Sequence, residues 1–189
     1  MSVRMMPLSG LFNKMKRLVR DTSLKLGKKA NLIMSGQETE MDKNIIEQIS
    51  DPLMHLVRNA LDHGIESPEE RIAKGKPETG TIHLAARYDG NEILITITDD
   101  GEGINPDIIK EKAISRGLIN STDSSLSEKD LIQLIFEPGF STAKTVSDIS
   151  GRGVGLDVVK KNIDKLQGSV DVISKINEGT TFTLRIPLT

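Results

Sequence analysis

The hydrophobic period switches from helical to alternating partway along the chain, and that switch most limits the possible folds. Thr81 to Arg87 and Glu92 to Thr98 alternate apolar and polar residues around Asp89-Gly90, a turn pair that favours a two-residue hairpin. Ile93, Ile95 and Ile97 face one way, and Leu94, Thr96 and Thr98 the other. A second pair, Ser169 to Ser174 and Thr180 to Pro187, joins through Asn177-Glu178-Gly179. Strands arranged as hairpins with helices elsewhere indicate an α/β sandwich rather than alternating βαβ units. The sheet is expected to be mixed and mainly antiparallel, with helices on one face.

The helical segments have the other period. Leu11, Met15, Leu18 and Val19 recur at helical spacing within Leu8 to Leu26, and Ala30 to Met34 reads as a short strand. Asp42 is placed to cap a helix through Ile45, Ile46 and Ile49. Pro52 predicts a kink in it, or a restart capped by Asp51, with the second part reaching His63 and stopped by Gly64. Ile65 to Gly80 is polar, with two prolines, and reads as a loop or short excursion. Asn105-Pro106 opens a helix ending near Gly117, and Val154 to Leu166 forms another, closed by Gly168. Between them, Leu118 to Ser150 is rich in Ser, Thr and Asp, with one short helix near Ser127 to Phe136.

The 189 residues suit one domain, or one domain with a short appendage, and the abrupt start suggests a piece of a longer chain. Aromatics make up 3%, so the core must be aliphatic. The net charge of −2 gives no reason to expect nucleic acid or an anionic membrane as partner. The chain has no cysteine, which excludes disulfides and thiolate sites. No apolar run approaches the ~20 residues of a membrane span. A cytoplasmic protein is expected.

Several residue groups could carry chemistry. On the helix Pro52 to His63, His55, Asn59 and Asp62 lie at i, i+4 and i+7, opposite Leu53, Leu56, Val57, Ala60 and Leu61. Such a stripe is either a solvated face or a wall presenting nitrogen and oxygen to a metal. Asn and His are poor helix formers for a merely solvated position. Magnesium takes few protein ligands and fills its shell with phosphates and water, and His55 could equally be a base or an orienting group.

Asp99-Asp100-Gly101-Glu102-Gly103-Ile104 follows a strand. It is either an acidic turn or a site where Asp99 accepts from an exocyclic amine while the glycines let a planar base approach the backbone. Gly151-Arg152-Gly153-Val154-Gly155-Leu156 enters a helix and could present N–H groups to an anion. It lacks the Lys-Ser/Thr of a P-loop, and no buried strand precedes it as a dinucleotide fingerprint requires. Phe136 to Thr142 lies in the long polar stretch and holds two of the chain's four phenylalanines, which suits an active-site lid better than a linker.

The order of these groups resembles the GHKL ATPase superfamily: His55-x-x-x-Asn59, Asp99-x-Gly101-x-Gly103, Phe136 to Thr142, Gly151-x-Gly153-x-Gly155, then Gly179-Thr180-Thr181. Within it, three strings are similar to the chemotaxis histidine kinases, the CheA family. They are Leu56 to Glu66, Pro138 to Thr142, and Ser150 to Val159. Arg4 to Leu8 resembles the junction with that family's dimerisation helices.

This resemblance implies a Bergerat-type ATP-binding fold, with residues 1–9 a linker from the dimerisation domain, 10–189 the catalytic domain, and a lid near 118–152. It implies ATP and Mg2+ as cofactors. Asn59 would bind magnesium, with His55 supporting metal or phosphates. Asp99 would read adenine, with Gly101, Gly103 and Ile104 around it and Thr180 or Thr181 nearby. His63 and Lys112 would approach the phosphates, and Asp62 would be among the nucleotide-binding residues. Ser141, Thr142, Gly151, Arg152, Gly153, Val154, Gly155 and Leu156 would close over the triphosphate. His55 stands where the superfamily commonly has the glutamate that activates water. Transfer of the γ-phosphoryl to a protein histidine is therefore expected, rather than hydrolysis.

His83 reads as a strand residue, so the phosphoacceptor is expected on a separate domain. Other implied partners are the regulatory domain, a coupling adaptor, chemoreceptors at the inner membrane face and response regulators. Two other readings stay open: an ATP-hydrolysing conformational machine, and a nucleotide-sensing module without catalysis.

Overall fold

The computed structural model describes residues 4–122, 125–140 and 155–188. The chain runs through β1 (Met5–Pro7), α1 (Ser9–Leu26), β2 (Ala30–Ser35), β3 (Glu40–Asp42), α2 (Lys43–Asn59), a π-helical turn (Ala60–Gly64) and α3 (Pro68–Ala73). It continues with β4 (Gly80–Asp89), β5 (Glu92–Asp99), α4 (Pro106–Ser115), α5 (Glu128–Gln133), a 3₁₀ turn (Leu134–Phe136), α6 (Leu156–Lys165), β6 (Ser169–Lys175) and β7 (Gly179–Pro187).

Five strands form one sheet in the order β2-β4-β5-β7-β6. β2 and β4 run parallel, and the other neighbours are antiparallel. The sheet is therefore mixed and mainly antiparallel, as its alternating pattern requires. The pleat sorts the side chains. Leu84 pairs with Ile97, Ile97 with Phe182, and Phe182 with Val172, giving one apolar row across four strands. All four are buried.

Against that face lie Phe12 and Met15 of α1, Ile49, Leu53, Leu56 and Val57 of α2, and Val159 and Ile163 of α6. Burying an aliphatic side chain stabilises the fold by ~1.5–3 kcal/mol, so this layer holds the domain together. On the other face Ile33, His83, Thr98, Thr181 and Ile173 form a row in register. Ile33 and Ile173 in that row are exposed.

Asp42 caps α2, its side chain accepting from the Asn44 N–H. The helix runs from Lys43 to Asn59 through Pro52, so of the two expectations there, a kink or a restart, the restart does not occur. Proline removes one bond, to the Gln48 carbonyl. The burial of Ile49, Pro52, Leu53, Leu56 and Val57 offsets that loss.

The polar stretch 65–80 contains α3, capped by the Ser67 side chain and with Pro68 in its first turn. β1 and β3 form a separate two-stranded pairing that the sequence pattern does not reveal, because three residues are too few to show a period. The side chain of Leu8 just after β1 is fully buried.

Candidate nucleotide site

Asp99 ends β5, the central strand of the sheet, opposite Thr180 of β7. Its carboxylate is buried on the helix-covered face. Oδ1 accepts from the Gly101 N–H at 2.9 Å. Burial raises its pKa to about 6; the backbone N–H groups of Gly101 and Thr180 oppose that rise, while the charges of Asp100 and Glu66 add to it. A buried acceptor at a strand end, ionised at neutral pH, is suited to an amine donor.

Backbone packs closely around this carboxylate. A Cβ on Gly101 would come within 2.1 Å of the Gly64 carbonyl oxygen, so only glycine fits there. The Glu102 N–H donates to that same carbonyl at 2.9 Å. Gly103 has φ +73° and lies against the Lys175 carbonyl. Ile104 N–H donates to Ser174 Oγ at 2.8 Å, and Ser174 Oγ lies 2.8 Å from Thr180 Oγ1.

Thr180 thus belongs to the Asp99 side of the sheet. Thr181 does not: its Oγ1 meets Thr98 Oγ1 at 3.0 Å on the opposite face.

The helix wall reaches the same place. His55 and Asn59 are half-buried on α2, one turn apart, and Asp62 is half-buried in the π-helical turn. That turn closes with the Ile65 N–H donating to the Ala60 carbonyl at 2.7 Å. Lys28 Nζ donates to the carbonyls of Leu61 (2.7 Å) and Asp62 (2.9 Å), satisfying groups that a helix end leaves without partners. π-helical turns often occur at functional sites, and this one brings Gly64 against Asp99. His63 is exposed and lies 3.5 Å from the Asp62 carboxylate.

Lys112 belongs to another cluster. Its Nζ lies 4.8 Å from the centroid of the buried Phe140 ring, with the Arg116 guanidinium 5.9 Å from it. Burial, and secondarily the charge of Arg116, hold the Lys112 pKa below its ordinary value. Gly155 is the N-cap of α6, and Leu156 is buried in its first turn. Ser141, Thr142, Gly151, Arg152, Gly153 and Val154 lie outside the described residues.

Among the described residues no three His, Cys, Asp or Glu side chains cluster as a metal site. The candidate donors on α2 are an amide and an imidazole, neither of them an anion. Such a set fits a magnesium ion whose charge is balanced by phosphate oxygens, with the Asn59 oxygen the better match to a hard cation.

Sequence reasoning missed Lys28, Ser174, and the buried Glu66 and Arg71. The one available signal for Glu66 and Arg71 was the Ser67-x-x-Glu70 capping pattern, which marks α3 just after Glu66 and containing Arg71.

The family model for histidine kinase-, DNA gyrase B- and HSP90-like ATPases matches residues 48–189, and the chain belongs to that family. ATP is therefore the nucleotide the domain serves. The sensor histidine kinase CheAY of Helicobacter pylori is 54% identical over 190 residues, covering 100% of this chain and 24% of that protein. Chemotaxis protein CheA of Treponema pallidum is 50% identical over 189 residues, covering 100% and 23%. That of Bacillus subtilis is 48% identical over 190 residues, covering 100% and 28%. The chain thus spans about a quarter of the length of these relatives.

Among solved structures, the catalytic domain of histidine kinase ThkA matches with a TM-score of 0.61 at 20% identity, over 100% of this chain and 97% of that one. The histidine kinase domain of the Erythrobacter litoralis EL346 blue-light activated kinase matches at 0.56 and 14%, over 97% and 62%. These two likenesses concern the fold alone.

Proposed function

We propose that this chain is the ATP-binding catalytic domain of a chemotaxis sensor histidine kinase, passing the γ-phosphoryl of Mg-ATP to a histidine on a separate phosphoacceptor domain. The observation that carries the nucleotide reading is the buried Asp99 carboxylate at the end of the central strand, packed against the end of the helix that bears Asn59. The kinase reading is supported by relatives about 50% identical that are themselves named chemotaxis kinases.

In this reading Asp99 accepts from the adenine amine, and Gly101, Gly103, Ile104 and Thr180 shape the pocket around the base. Asn59 gives its amide oxygen to magnesium, and His55 orients that end of the site. His63, Lys112 and the segment from Ser141 to Leu156 approach the triphosphate, and Asp62 lines the nucleotide site. Mg-ATP supplies the transferable group and the countercharge for it. The protein then needs only to position and to neutralise charge. A ring nitrogen of the acceptor histidine forms the new bond to phosphorus as the bond to the ADP oxygen breaks.

Residues 1–9 serve as the linker from a dimerisation domain, tied on through the pairing of Met5–Pro7 with Glu40–Asp42. The stretch 118–152 serves as the lid. The working protein is cytoplasmic, in complex with receptors, an adaptor and response regulators. No described helix is long and apolar enough to cross a membrane.

The test is to incubate the chain with Mg-ATP labelled at the γ-position and a chemotaxis-type phosphoacceptor domain. Labelled phosphohistidine on the acceptor, with the chain itself unlabelled, supports transfer. Release of inorganic phosphate without an acceptor would instead favour a hydrolytic machine, and bound ATP with neither product a sensing module.

A further inference from the structure

Glu66 and Arg71 are the least expected buried residues in the fold, 3% and 0% exposed, and no role above uses them. Arg71 distributes its donors over three stretches of chain that lie outside the helices and strands. Nε donates to the Pro77 carbonyl (2.7 Å), Nη1 to Glu66 Oε1 (2.9 Å) and the Asp100 carbonyl (3.2 Å), and Nη2 to Asp100 Oδ2 (3.1 Å). Lys76 Nζ donates to Glu66 Oε2 (2.7 Å) and to the carbonyls of Asp100 (3.1 Å) and Gly101 (2.8 Å). The Thr81 N–H donates to Asp100 Oδ1 at 2.9 Å.

Two successive carbonyls and a carboxylate, in the two residues directly after Asp99, are thus held from one side. Gly101, whose carbonyl Lys76 holds, is also the residue whose N–H grips the Asp99 carboxylate. Glu66, the shared anion, lies two residues beyond Gly64, where an added Cβ would meet the Asp99 carboxylate. Buried ion pairs are costly to desolvate and add little net stability relative to apolar packing. A mere excursion between α2 and β4 could be anchored by apolar contacts such as Ile65 makes.

We propose that Arg71 and Lys76, held by Glu66, are positioning residues that fix the turn after Asp99 and thereby aim its carboxylate at the base of a bound nucleotide. The proposal rests on the reading of Asp99 as the adenine acceptor.

The test compares the affinities of ATP and inosine triphosphate, which has a carbonyl in place of the exocyclic amine, for the 189-residue chain and for Lys76→Met and Arg71→Lys. The ratio of the two affinities is independent of the folded fraction, so a purely structural role leaves it unchanged. Wild type is expected to prefer ATP by about tenfold or more. Each variant should cut that preference by about threefold or more. Lys76 lies at the edge of the cluster, so Lys76→Met decides the matter if Arg71→Lys does not fold. A folded variant whose ratio stays within about twofold of wild type overturns the positioning role. A wild type with no preference for ATP overturns the adenine reading itself and the proposal with it.

Discussion

Gly64 packs closely beside Asp99: a Cβ added to Gly64 would lie 3.0 Å from Asp99 Oδ2. The end of the α2 helical run and the end of β5 therefore meet at one carboxylate. The helix that carries Asn59 and the strand that carries Asp99 cannot shift relative to each other without disturbing this contact.

Gly64→Ala tests that contact. The added methyl must push the Asp99 carboxylate aside by a few tenths of an ångström, and the backbone at Gly64 is not in the left-handed region. Stability should fall by at most ~1 kcal/mol. ATP affinity should fall by about three- to tenfold. Calorimetric titration beside a thermal melt checks both. A stable variant with unchanged affinity would separate Gly64 from the site.

Asp99 should give nucleotide binding an acid limb. Its pKa stands at about 6, and protonation removes the charge and turns one acceptor oxygen into a donor, which suits the carbonyl of inosine triphosphate rather than an amine. The preference for ATP over inosine triphosphate, whose phosphates titrate alike, should hold above pH 7 and fall below about 6.

The ligand-free fold behaves in the opposite sense. A pKa raised from 3.8 to about 6 contributes stability that is fully present below 3.8 and is lost as pH rises through about 6. A preference independent of pH between 4.5 and 8 would contradict the assignment.

Glu66 acts with the reverse sign. Its burial would push the pKa up, but hydrogen bonds from Lys76 and Lys74 prevail and hold it at about 2, against an ordinary 4.5. Its contribution is present above 4.5 and disappears as pH falls through about 2. Glu66→Gln removes the buried anion shared by Arg71, Lys74 and Lys76, leaving Arg71 only the Asp100 carboxylate, and should cost about 3 kcal/mol, or roughly 10 °C in Tm. A loss below ~1 kcal/mol would show the cluster to be far less coupled than its geometry implies.

Much of this was legible in the sequence. Alternation in Thr81 to Arg87 and Glu92 to Thr98, with Asp89-Gly90 between them, defines the central hairpin, and Asp99 follows as a strand-end carboxylate. Which threonine lies beside Asp99 was not legible, because it depends on the pairing of β5 with β7, which puts Thr180 and Thr181 on opposite faces. The Glu66–Arg71 pair was hidden for a similar reason. A charged run looks solvated until its carboxylate and guanidinium are seen to satisfy each other. Pro52 left a kink and a restart both open, and the restart is overridden by packing of the surrounding residues against the core.

Asn59→Ala should remove the metal dependence of nucleotide binding while leaving the fold, since the side chain is half-buried and outside the apolar cluster. Titrations of ATP with magnesium and with a chelator should then give affinities within about twofold of each other. Persistent stimulation by magnesium would remove Asn59 from the metal's shell.

The most direct measurement is equilibrium titration of the 189-residue chain with ATP and magnesium, run in parallel on Asp99→Asn. A complex with the wild type, weakened by about tenfold or more in a variant that still melts cooperatively, is the expected result. No complex with wild type, or equal affinity in the two proteins, would contradict the site at Asp99.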